Sequence, residues 1–312
     1  MQSVLLIGCG NIGFRHLQAL VQLPQAAAIS IVEPNLAAHP RIAALIAEHA
    51  GSHWLELHAS LPQTAARFDL AVLATSANSR RLIMEDLLAR HSVAVMILEK
   101  VLFQRLEDLD AVQALLVAKV VTAYVNCGRR YFPGYMALQQ RFAAQPQPLD
   151  ILITGQAFGL ASNAVHFVDL AEYLNASAVS KLDGTGLLAG SVTAKRADCV
   201  EIFGSLTAQF ANGARLTVDC RADGPLAVTA RISGQGVDIS IDEVARKITD
   251  FGVTTAFVSK NVSECVEIYA AALQTGQCDL TPYADSARQH RFYLSAVLAH
   301  LGLPQTAICP VS

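Results

Sequence analysis

The sequence has 312 residues, of which 53% are hydrophobic and 16% are charged, a composition that supports a large core and excludes a disordered chain. Its 23 basic and 26 acidic side chains leave a formal net charge of -3, without a dense basic block that would bind nucleic acid or an anionic membrane. No basic segment precedes the first apolar run, and no apolar run reaches the roughly 20 residues that span a bilayer. We therefore expect a cytoplasmic protein that binds neither nucleic acid nor membrane.

The first 127 residues alternate apolar runs with helical patterns. The runs SVLLIG, AISIVE, FDLAVLATS, VAVMILEK and VVTAYVNC are continuous and aliphatic, as expected for strands buried on both faces of a parallel sheet. Between them apolar residues recur every three or four positions, and WLEL at residues 54–57 is a candidate for a further short strand. This order predicts an α/β fold with a doubly wound parallel sheet over residues 1–127.

Beyond about residue 145 the pattern changes. A strand-like LDILITGQAF and a helical SNAVHFVDLAEYL are followed by short alternating runs with glycine-containing turns, which are typical of antiparallel strands. Two helical patterns, SECVEIYAAALQ and DSARQHRFYLSAVLAHLG, come last. We therefore predict a second α/β domain over residues 128–312.

Three glycines follow the first predicted strand with the spacing G-x-G-x-x-G, at Gly8, Gly10 and Gly13. In a dinucleotide site the first glycine permits the tight turn, the second leaves room for a pyrophosphate, and the third lets helix and strand pack closely. The start of the following helix then offers free N–H groups to the anion. Three glycines in such a turn can also serve packing alone, so the spacing leaves both interpretations open.

Glu33 favours the dinucleotide interpretation because it ends the next strand, 20 residues after Gly13. A carboxylate at this point accepts hydrogen bonds from ribose hydroxyls and repels a 2′-phosphate, which predicts NAD, with NADP left possible by the nearby Arg15. The scattered cysteines lack metal-ligand spacing, so no metal is predicted. The remaining predicted cofactor contacts are Asn11, Ile12, Thr75 and Glu99.

The segment ILEKVLF ends the fifth predicted strand with Glu99 and Lys100. Ligands of an open parallel sheet bind beyond the carboxyl ends of its strands, so these two residues are expected beside the nicotinamide. A lysine there can hydrogen-bond a substrate oxygen and help polarise it. The alternative is a solvated ion pair at the strand end.

A helix over ASNAVHFVDLAEYL would carry a polar side and an apolar side. At 100° per residue, Ser162, His166, Asp169 and Tyr173 share one side of the helix, opposite Ala164, Phe167, Val168 and Ala171. A histidine so placed can exchange a proton near neutral pH, and the aspartate can orient it or contact a substrate. The alternative is a histidine and an aspartate that only face water.

In combination these motifs resemble the Gfo/Idh/MocA family of NAD(P)-dependent oxidoreductases, over essentially the whole chain. The features that carry the resemblance are GCGNIGFRH, the EK dipeptide at 99 and 100, RRYFP at 129–133, HFVD at 166–169 and the last helical segment, LTPYADSARQHRFYLSAVL. The glycines are common to many Rossmann proteins, whereas the EK dipeptide and the H-x-x-D helix in this order are more selective.

The resemblance implies an N-terminal Rossmann domain and then an α/β domain with an open, mostly antiparallel sheet, often used for dimer contacts, so a homodimer or homotetramer is expected. It also implies hydride transfer between the nicotinamide and a hydroxyl or keto carbon of a sugar, cyclitol or sugar derivative, in surface-polysaccharide or glycan synthesis. By position, Lys100 would contact the reacting oxygen and His166 would be the general acid/base. Asp169 would support His166 or bind substrate hydroxyls.

The segment NCGRRYFPGY, at the end of the sixth predicted strand, is expected to face the same cleft. Arg129 or Arg130 can hold an anionic group of a substrate by a forked contact, and Tyr131 can contact a sugar ring. With Ser162 these residues form the predicted substrate-binding set. The alternative for each arginine is solvent or a structural carboxylate.

Two positions depart from the family pattern. Val101 follows the EK dipeptide where the family usually has proline, and Ser162 lies one turn before His166 where many members have aspartate. Because serine cannot carry the charge of an aspartate, two other functions stay open. One is a non-catalytic dinucleotide-binding sensor or scaffold, and the other is an enzyme that uses NAD in a transient oxidation to enable elimination or glycoside cleavage.

Overall fold

The computed structural model describes residues 1–49, 51–194 and 198–312 of the chain. The helices are α1 Asn11–Leu20, α2 His39–Glu48, α3 Ala77–Arg90, α4 Leu106–Ala118, α5 Pro133–Ala144, α6 Leu160–Asn175, α7 Val266–Thr275 and α8 Tyr283–His300. The strands are β1 Gln2–Ile7, β2 Ala27–Val32, β3 Trp54–His58, β4 Arg67–Leu73, β5 Ser92–Leu98, β6 Thr122–Val125, β7 Asp150–Gln156, β8 Val179–Asp183, β9 Val192–Thr193, β10 Val200–Glu201, β11 Gly204–Phe210, β12 Arg215–Arg221, β13 Ala227–Gly234, β14 Val237–Asp242, β15 Lys247–Asp250, β16 Val253–Ala256 and β17 Thr281–Pro282. Short 3-10 helices lie at Leu36–Ala38, Gly128–Tyr131 and Val262–Glu264.

The chain forms two compact units that interleave along the sequence. The first comprises Met1–Phe103, Asp108–Asn126 and Lys260–Ala284, and the second comprises Gln104–Glu107, Cys127–Ser259 and Asp285–Ser312. The prediction of domains over residues 1–127 and 128–312 treats them as consecutive segments. The structure differs because the chain returns to the first unit late, where β17 pairs with β6.

The first unit contains a seven-stranded sheet in the order β3-β2-β1-β4-β5-β6-β17. All neighbouring pairs from β3 to β6 are parallel, and β17 joins β6 in the antiparallel sense. This is the strand order of a Rossmann fold, so the predicted doubly wound parallel sheet is confirmed. The segment WLEL also forms a strand, β3, at the edge beside β2. The aliphatic runs predicted as strands lie in the core because helices cover both faces of such a sheet.

The carboxyl ends of the central strands are held in register by backbone hydrogen bonds. Their donors are the residues that come directly after β1, β4 and β5. The N–H of Gly8 donates to the Val32 oxygen at 2.9 Å, and the N–H of Ala74 donates to the Ile7 oxygen at 2.9 Å. The N–H of Glu99 donates to the Leu73 oxygen at 3.0 Å. The residues that follow β1, β2, β4 and β5 therefore meet at one edge, where the strand order reverses direction between β1 and β4.

The second unit contains an eight-stranded sheet in the order β16-β15-β14-β13-β7-β12-β11-β8. Its pairs are antiparallel except for the parallel pair of β7 and β12, which confirms an open, mostly antiparallel sheet. Strands β11 to β14 alternate buried and more exposed residues, as expected for a sheet with one buried face, and α6 packs on β11 and β12. Helix α6 also packs against α5.

Helix α5 is not predicted from the sequence, because it begins at Pro133 and Gly134. Both residues are turn signals in a sequence, but proline is also favoured in the first turn of a helix, where its missing N–H costs nothing. The sequence patterns also name no run at strands β15 and β16, which have four residues each. Within the described ranges, none of the helices combines the length and apolar character needed to cross a bilayer.

We predict that Gly13→Ala destabilises the protein by about 2 kcal/mol or more, because the added Cβ would lie 1.9 Å from the Gly8 oxygen. Gly10→Ala is the matched control, since a Cβ there meets no described atom within 4 Å. The free energy of unfolding from urea titrations followed by circular dichroism tests this. Equal stability of the two variants would contradict the close packing of α1 on β1.

Candidate active site

The glycine-rich turn between β1 and α1 has the geometry that a diphosphate requires. Gly8 has a φ of +83°, a conformation that favours glycine, and Gly13 approaches the Gly8 carbonyl too closely to allow a side chain. At Gly10 the space that a Cβ would fill is open among the described residues. Asn11 and Ile12 form the first turn of α1, and no side chain caps that helix start. Its free N–H groups are therefore available to an anion.

A cavity of about 500 Å³ lies beside this turn. It is lined by Gly8, Gly10, Glu33 and Thr75, together with other residues that follow β2, β3 and β4. The Oγ1 atom of Thr75 is buried and has no hydrogen-bond partner within the described part of the chain. A buried hydroxyl beside an open cavity can bond a ligand, so the space, the turn and the hydroxyl fit a dinucleotide.

Glu33 lies where the sequence predicts it, after β2 and against the glycine-rich turn. Its Oε2 accepts the Cys9 N–H at 2.6 Å, and its Oε1 accepts the Asn35 N–H at 2.8 Å. An ionised carboxylate has about four acceptor positions, so two remain for ribose hydroxyls. Burial of the neighbouring Cys9 raises the pKa of its thiol to about 12, so this thiol is uncharged at neutral pH.

Arg41 is a residue at the turn that the sequence analysis missed. Its Nη2 donates to the Cys9 oxygen at 2.8 Å, and its guanidinium lies 4.9 Å from the centre of the Phe14 ring. Arg15, which the sequence analysis considered for NADP, donates to Gln18 instead. No sequence signal marks Arg41, because its place at the turn depends on how α2 packs.

Glu99 belongs to a buried hydrogen-bond network. Its Oε1 accepts the Asn126 amide at 2.6 Å and contacts Nε2 of His16 at 2.9 Å. The other ring nitrogen of His16 lies 2.7 Å from the Tyr269 hydroxyl. Burial alone raises the pKa of Glu99, but the hydrogen bonds to His16 and Asn126 and the charge of Lys100 outweigh it and lower this pKa. The Glu99 carboxylate therefore forms its hydrogen bonds with protein groups, His16 and Asn126. Lys100 is the next residue in the chain.

Lys100 is half-buried at the carboxyl edge of the first sheet, and its peptide bond to Val101 is cis. The buried Arg80 holds the turn that follows Lys100. Its Nη1 donates to the oxygens of Val101 and Leu102 at 2.5 and 2.7 Å, and its Nη2 donates to the Thr75 oxygen. One guanidinium therefore links the segment after Lys100 to the strand end that lines the cavity.

In the second unit, the four residues that the sequence predicts on one side of α6 differ in burial, since Asp169 is buried whereas Ser162, His166 and Tyr173 are half-buried. Asp169 is fully buried, and its Oδ2 lies 3.1 Å from Nε of Arg130. Its Oδ1 accepts the Gln289 amide at 3.3 Å, and Arg130 also lies over the Tyr173 ring, 4.8 Å from its centre. Asp169 is thus an internal counter-ion of Arg130.

Ser162 meets a carboxylate from another part of the unit. Its hydroxyl donates to Oε2 of Glu201 at 2.7 Å, while Oε1 of Glu201 accepts the Ala161 N–H at 2.6 Å. Glu201 ends β10, so the start of α6 gains a negative charge from a strand rather than from the helix itself. His166 is half-buried one turn further along the helix. Sequence reasoning missed Glu201 because only the fold brings it to α6.

The two predicted arginines differ in their partners. Nε of Arg129 lies 3.1 Å from both carboxylate oxygens of Glu243, and the Tyr135 hydroxyl donates to Oε1 of Glu243 at 2.8 Å. The Arg129 guanidinium also lies 4.2 Å from the centre of the Phe167 ring. Both arginines therefore pair with structural carboxylates. Tyr131 ends the 3-10 helix Gly128–Tyr131, which packs on α6, and is half-buried.

Each unit brings a different part of the predicted set together. The first unit collects the cofactor contacts around one turn and one cavity, with Lys100 near the end of a neighbouring strand. The second collects Ser162, His166 and Asp169 on α6, with Arg130 paired to that helix. Across the described residues, no group of three or more His, Cys, Asp or Glu side chains is arranged to hold a metal ion.

The strand order, the glycine-rich turn, Glu33 and the adjoining cavity define the first unit as a Rossmann-type NAD-binding domain. Residues 2–127 match the model of an oxidoreductase family with an NAD-binding Rossmann fold, Gfo/Idh/MocA. This match covers the NAD-binding domain, and it is to the family that the motifs resemble. Among curated protein sequences, no significant match to the chain was found.

Solved structures match the fold over nearly the whole chain. UDP-N-acetylglucosamine 3-dehydrogenase GnnA from Acidithiobacillus ferrooxidans has a TM-score of 0.70 at 16% identity, covering 96% of this chain and 97% of that one. An oxidoreductase from Agrobacterium radiobacter, in complex with NAD+, L-tartaric acid and magnesium, has a TM-score of 0.72 at 17% identity, covering 95% and 96%. A super-repressor mutant of Gal80p from Saccharomyces cerevisiae has a TM-score of 0.75 at 13% identity, covering 100% and 99%.

We predict that the protein binds NADH at least about tenfold more tightly than NADPH, and that Glu33→Gln reduces this preference. The Glu33 carboxylate accepts hydrogen bonds from the ribose hydroxyls, and its negative charge repels a 2′-phosphate. A neutral amide is a weaker acceptor and does not repel the phosphate. Fluorescence titration with both nucleotides measures the ratio. Glu56→Gln is the matched control, because Glu56 is an exposed carboxylate on β3 that bonds the Trp54 indole. An unchanged ratio in Glu33→Gln would contradict the assignment of Glu33.

Proposed function

We propose that the protein is an NAD-dependent oxidoreductase that transfers a hydride between the nicotinamide and a hydroxyl or keto carbon of a sugar, cyclitol or sugar derivative. The observation that carries the proposal is the position of Lys100. It lies at the carboxyl edge of the sheet that holds the glycine-rich turn, just beyond a strand that pairs with β4, which leads to Thr75. A cationic side chain at that edge suits a substrate whose oxygen gains negative charge.

When bound, NAD supplies the acceptor or donor of the hydride. We assign Lys100 to the reacting oxygen, where its ammonium donates a hydrogen bond that strengthens as negative charge develops. We assign His166 to the proton, as the general base in oxidation and the general acid in reduction. A histidine suits this task because its ordinary pKa lies near neutral pH.

The second unit offers donors and aromatic faces for a hydroxylated substrate. In the proposal Arg130 and Tyr131 contact substrate hydroxyls or an anionic group, and Ser162 stays oriented by Glu201. Asp169 has no exposed surface, so we assign it to orienting Arg130 rather than to direct contact with substrate. Arg129, held by Glu243, shapes the same unit.

The names of two similar structures support this substrate class. One is a UDP-N-acetylglucosamine 3-dehydrogenase, and the other holds NAD+ and the hydroxy acid L-tartaric acid. A nucleotide sugar would suit a role in surface-polysaccharide or glycan synthesis. The family resemblance also leads us to propose a homodimer or homotetramer.

A non-catalytic dinucleotide-binding protein is the second candidate. Two observations favour it: Asp169 and both arginines pair within the protein, and a similar structure is a super-repressor mutant of Gal80p. In this case the chain would bind NADH without oxidising or reducing any polyol or ketone.

We expect NADH formation with at least one member of a panel of nucleotide sugars, aldoses and cyclitols. Lys100→Met and His166→Asn should each lower kcat/KM by about 100-fold or more, while the Kd of NADH changes by no more than about twofold. Lys119→Met is the matched control, because Lys119 is an exposed lysine beyond α4. Tight NADH binding without turnover of any compound would favour the non-catalytic candidate, and full activity of Lys100→Met would overturn the role of Lys100.

A further inference from the structure

A chain of buried hydrogen bonds crosses the first unit from α7 to the edge of the sheet. It runs from the Tyr269 hydroxyl through both ring nitrogens of His16 to the Glu99 carboxylate, which also accepts the Asn126 amide. His16 is 1% exposed and Glu99 is 5% exposed, so water does not replace these contacts. The sequence predicts Glu99 as a cofactor contact and predicts no role for His16.

The partners of the chain determine where its protons lie. Burial, and then the neighbouring groups Cys265, Glu99 and Cys278, raise the pKa of Tyr269 well above its ordinary value, so this residue remains a phenol. A phenol can donate to one nitrogen of His16 or accept from it. In either case the other ring nitrogen carries a proton that it donates to Glu99.

The charged groups around Glu99 keep it ionised. Burial opposes ionisation, but the hydrogen bonds and charge from His16, the Asn126 amide and the charge of Lys100 together lower the pKa of Glu99. Burial raises the pKa of the thiols of Cys265 and Cys278 to about 11, so both are uncharged at neutral pH. Of Glu99, Cys265 and Cys278, only Glu99 is therefore negatively charged at neutral pH.

The contact between His16 and Glu99 joins helix α1 to the segment that follows β5. In the proposed reaction these two elements hold the cofactor and Lys100, so they must be aligned. His16 lies on α1, three residues after Gly13, and so on the helix whose start faces the diphosphate site. Glu99 immediately precedes Lys100, and its N–H still pairs with the Leu73 oxygen of β4. Glu99 is thus the last residue before Lys100 whose backbone pairs with β4, and anchoring its carboxylate fixes the backbone next to the lysine.

We propose that His16 is a positioning residue: by anchoring the Glu99 carboxylate, it fixes Lys100 relative to the helix that binds the cofactor diphosphate. The inference rests on the proposed function of Lys100. Replacing a buried ion pair by apolar groups is often neutral for stability, so a purely structural role does not require this arrangement. A displacement of about 1 Å at a reacting group can reduce a rate by about 100-fold.

Two variants of His16 separate the hydrogen bond from the bulk of the side chain. His16→Leu removes the donor to Glu99, and His16→Gln keeps a donor at a similar distance. His91→Leu is the control for a lost buried histidine in the same unit, since the Ala66 N–H donates to His91 at 3.1 Å. We expect kcat to fall by about tenfold or more in His16→Leu, with NADH affinity kept, and to recover partly in His16→Gln.

Two spectroscopic measurements decide the inference without turnover. Carboxyl-¹³C NMR of glutamate-labelled protein follows the Glu99 signal, identified by its loss in Glu99→Gln. ¹³C-methylation of the lysines gives a Lys100 signal, identified by its loss in Lys100→Arg. In His16→Leu, we expect the Glu99 titration to move to higher pH and the Lys100 signal to shift, and both to return towards wild type in His16→Gln.

An unmoved Lys100 signal in His16→Leu would overturn the inference, and so would equal shifts of that signal in His16→Leu and His91→Leu. If the wild-type protein oxidises no polyol, the proposed function fails. The spectra would still show whether His16 anchors Glu99 and positions Lys100, so the two failures are distinguishable.

Discussion

The close approach of α1 to β1 at Gly8 and Gly13 is the contact on which the first unit depends. A single carbonyl occupies the place that a side chain at Gly13 would need. The helix therefore starts directly above the strand end, and its free N–H groups face the edge where β1 and β4 diverge. Every other element of the cofactor site lies at that edge because parallel strands end there together.

Buried charges in both units follow one rule, since each has a partner of fixed geometry. Glu99 is held by His16 and Asn126, while Asp169 is held against Arg130. Arg80 is held by the backbone carbonyls of Val101 and Leu102, which follow Lys100, and by that of Thr75. Such groups contribute little net stability against apolar replacements, but a broken pair leaves a costly isolated charge. They favour one position of the neighbouring backbone, which is what a reacting group needs.

Local patterns in the sequence were enough to predict the parallel sheet, the glycine-rich turn and the position of Glu33. Each of these depends on residues close together in the chain, because strand burial and turn geometry are local properties. The partners of the site residues were not predictable in this way. Tyr269 is separated from His16 by 253 positions, and Glu243 from Arg129 by 114, so only the folded chain brings them into contact. The contact between Glu201 and Ser162 also forms only in the folded chain.

Isotope transfer tests the central claim, that the NAD-binding domain serves hydride transfer from a carbinol carbon. The protein is incubated with NAD+ and sugars, nucleotide sugars or cyclitols that carry deuterium on their carbinol carbons, and the nucleotide is then analysed by mass spectrometry. We expect NADH that carries one deuterium from the substrate, formed at a rate lower by about 100-fold or more in the Lys100→Met variant. Saturable NAD+ binding without any deuterium transfer, across compounds labelled at every carbinol carbon, would contradict it.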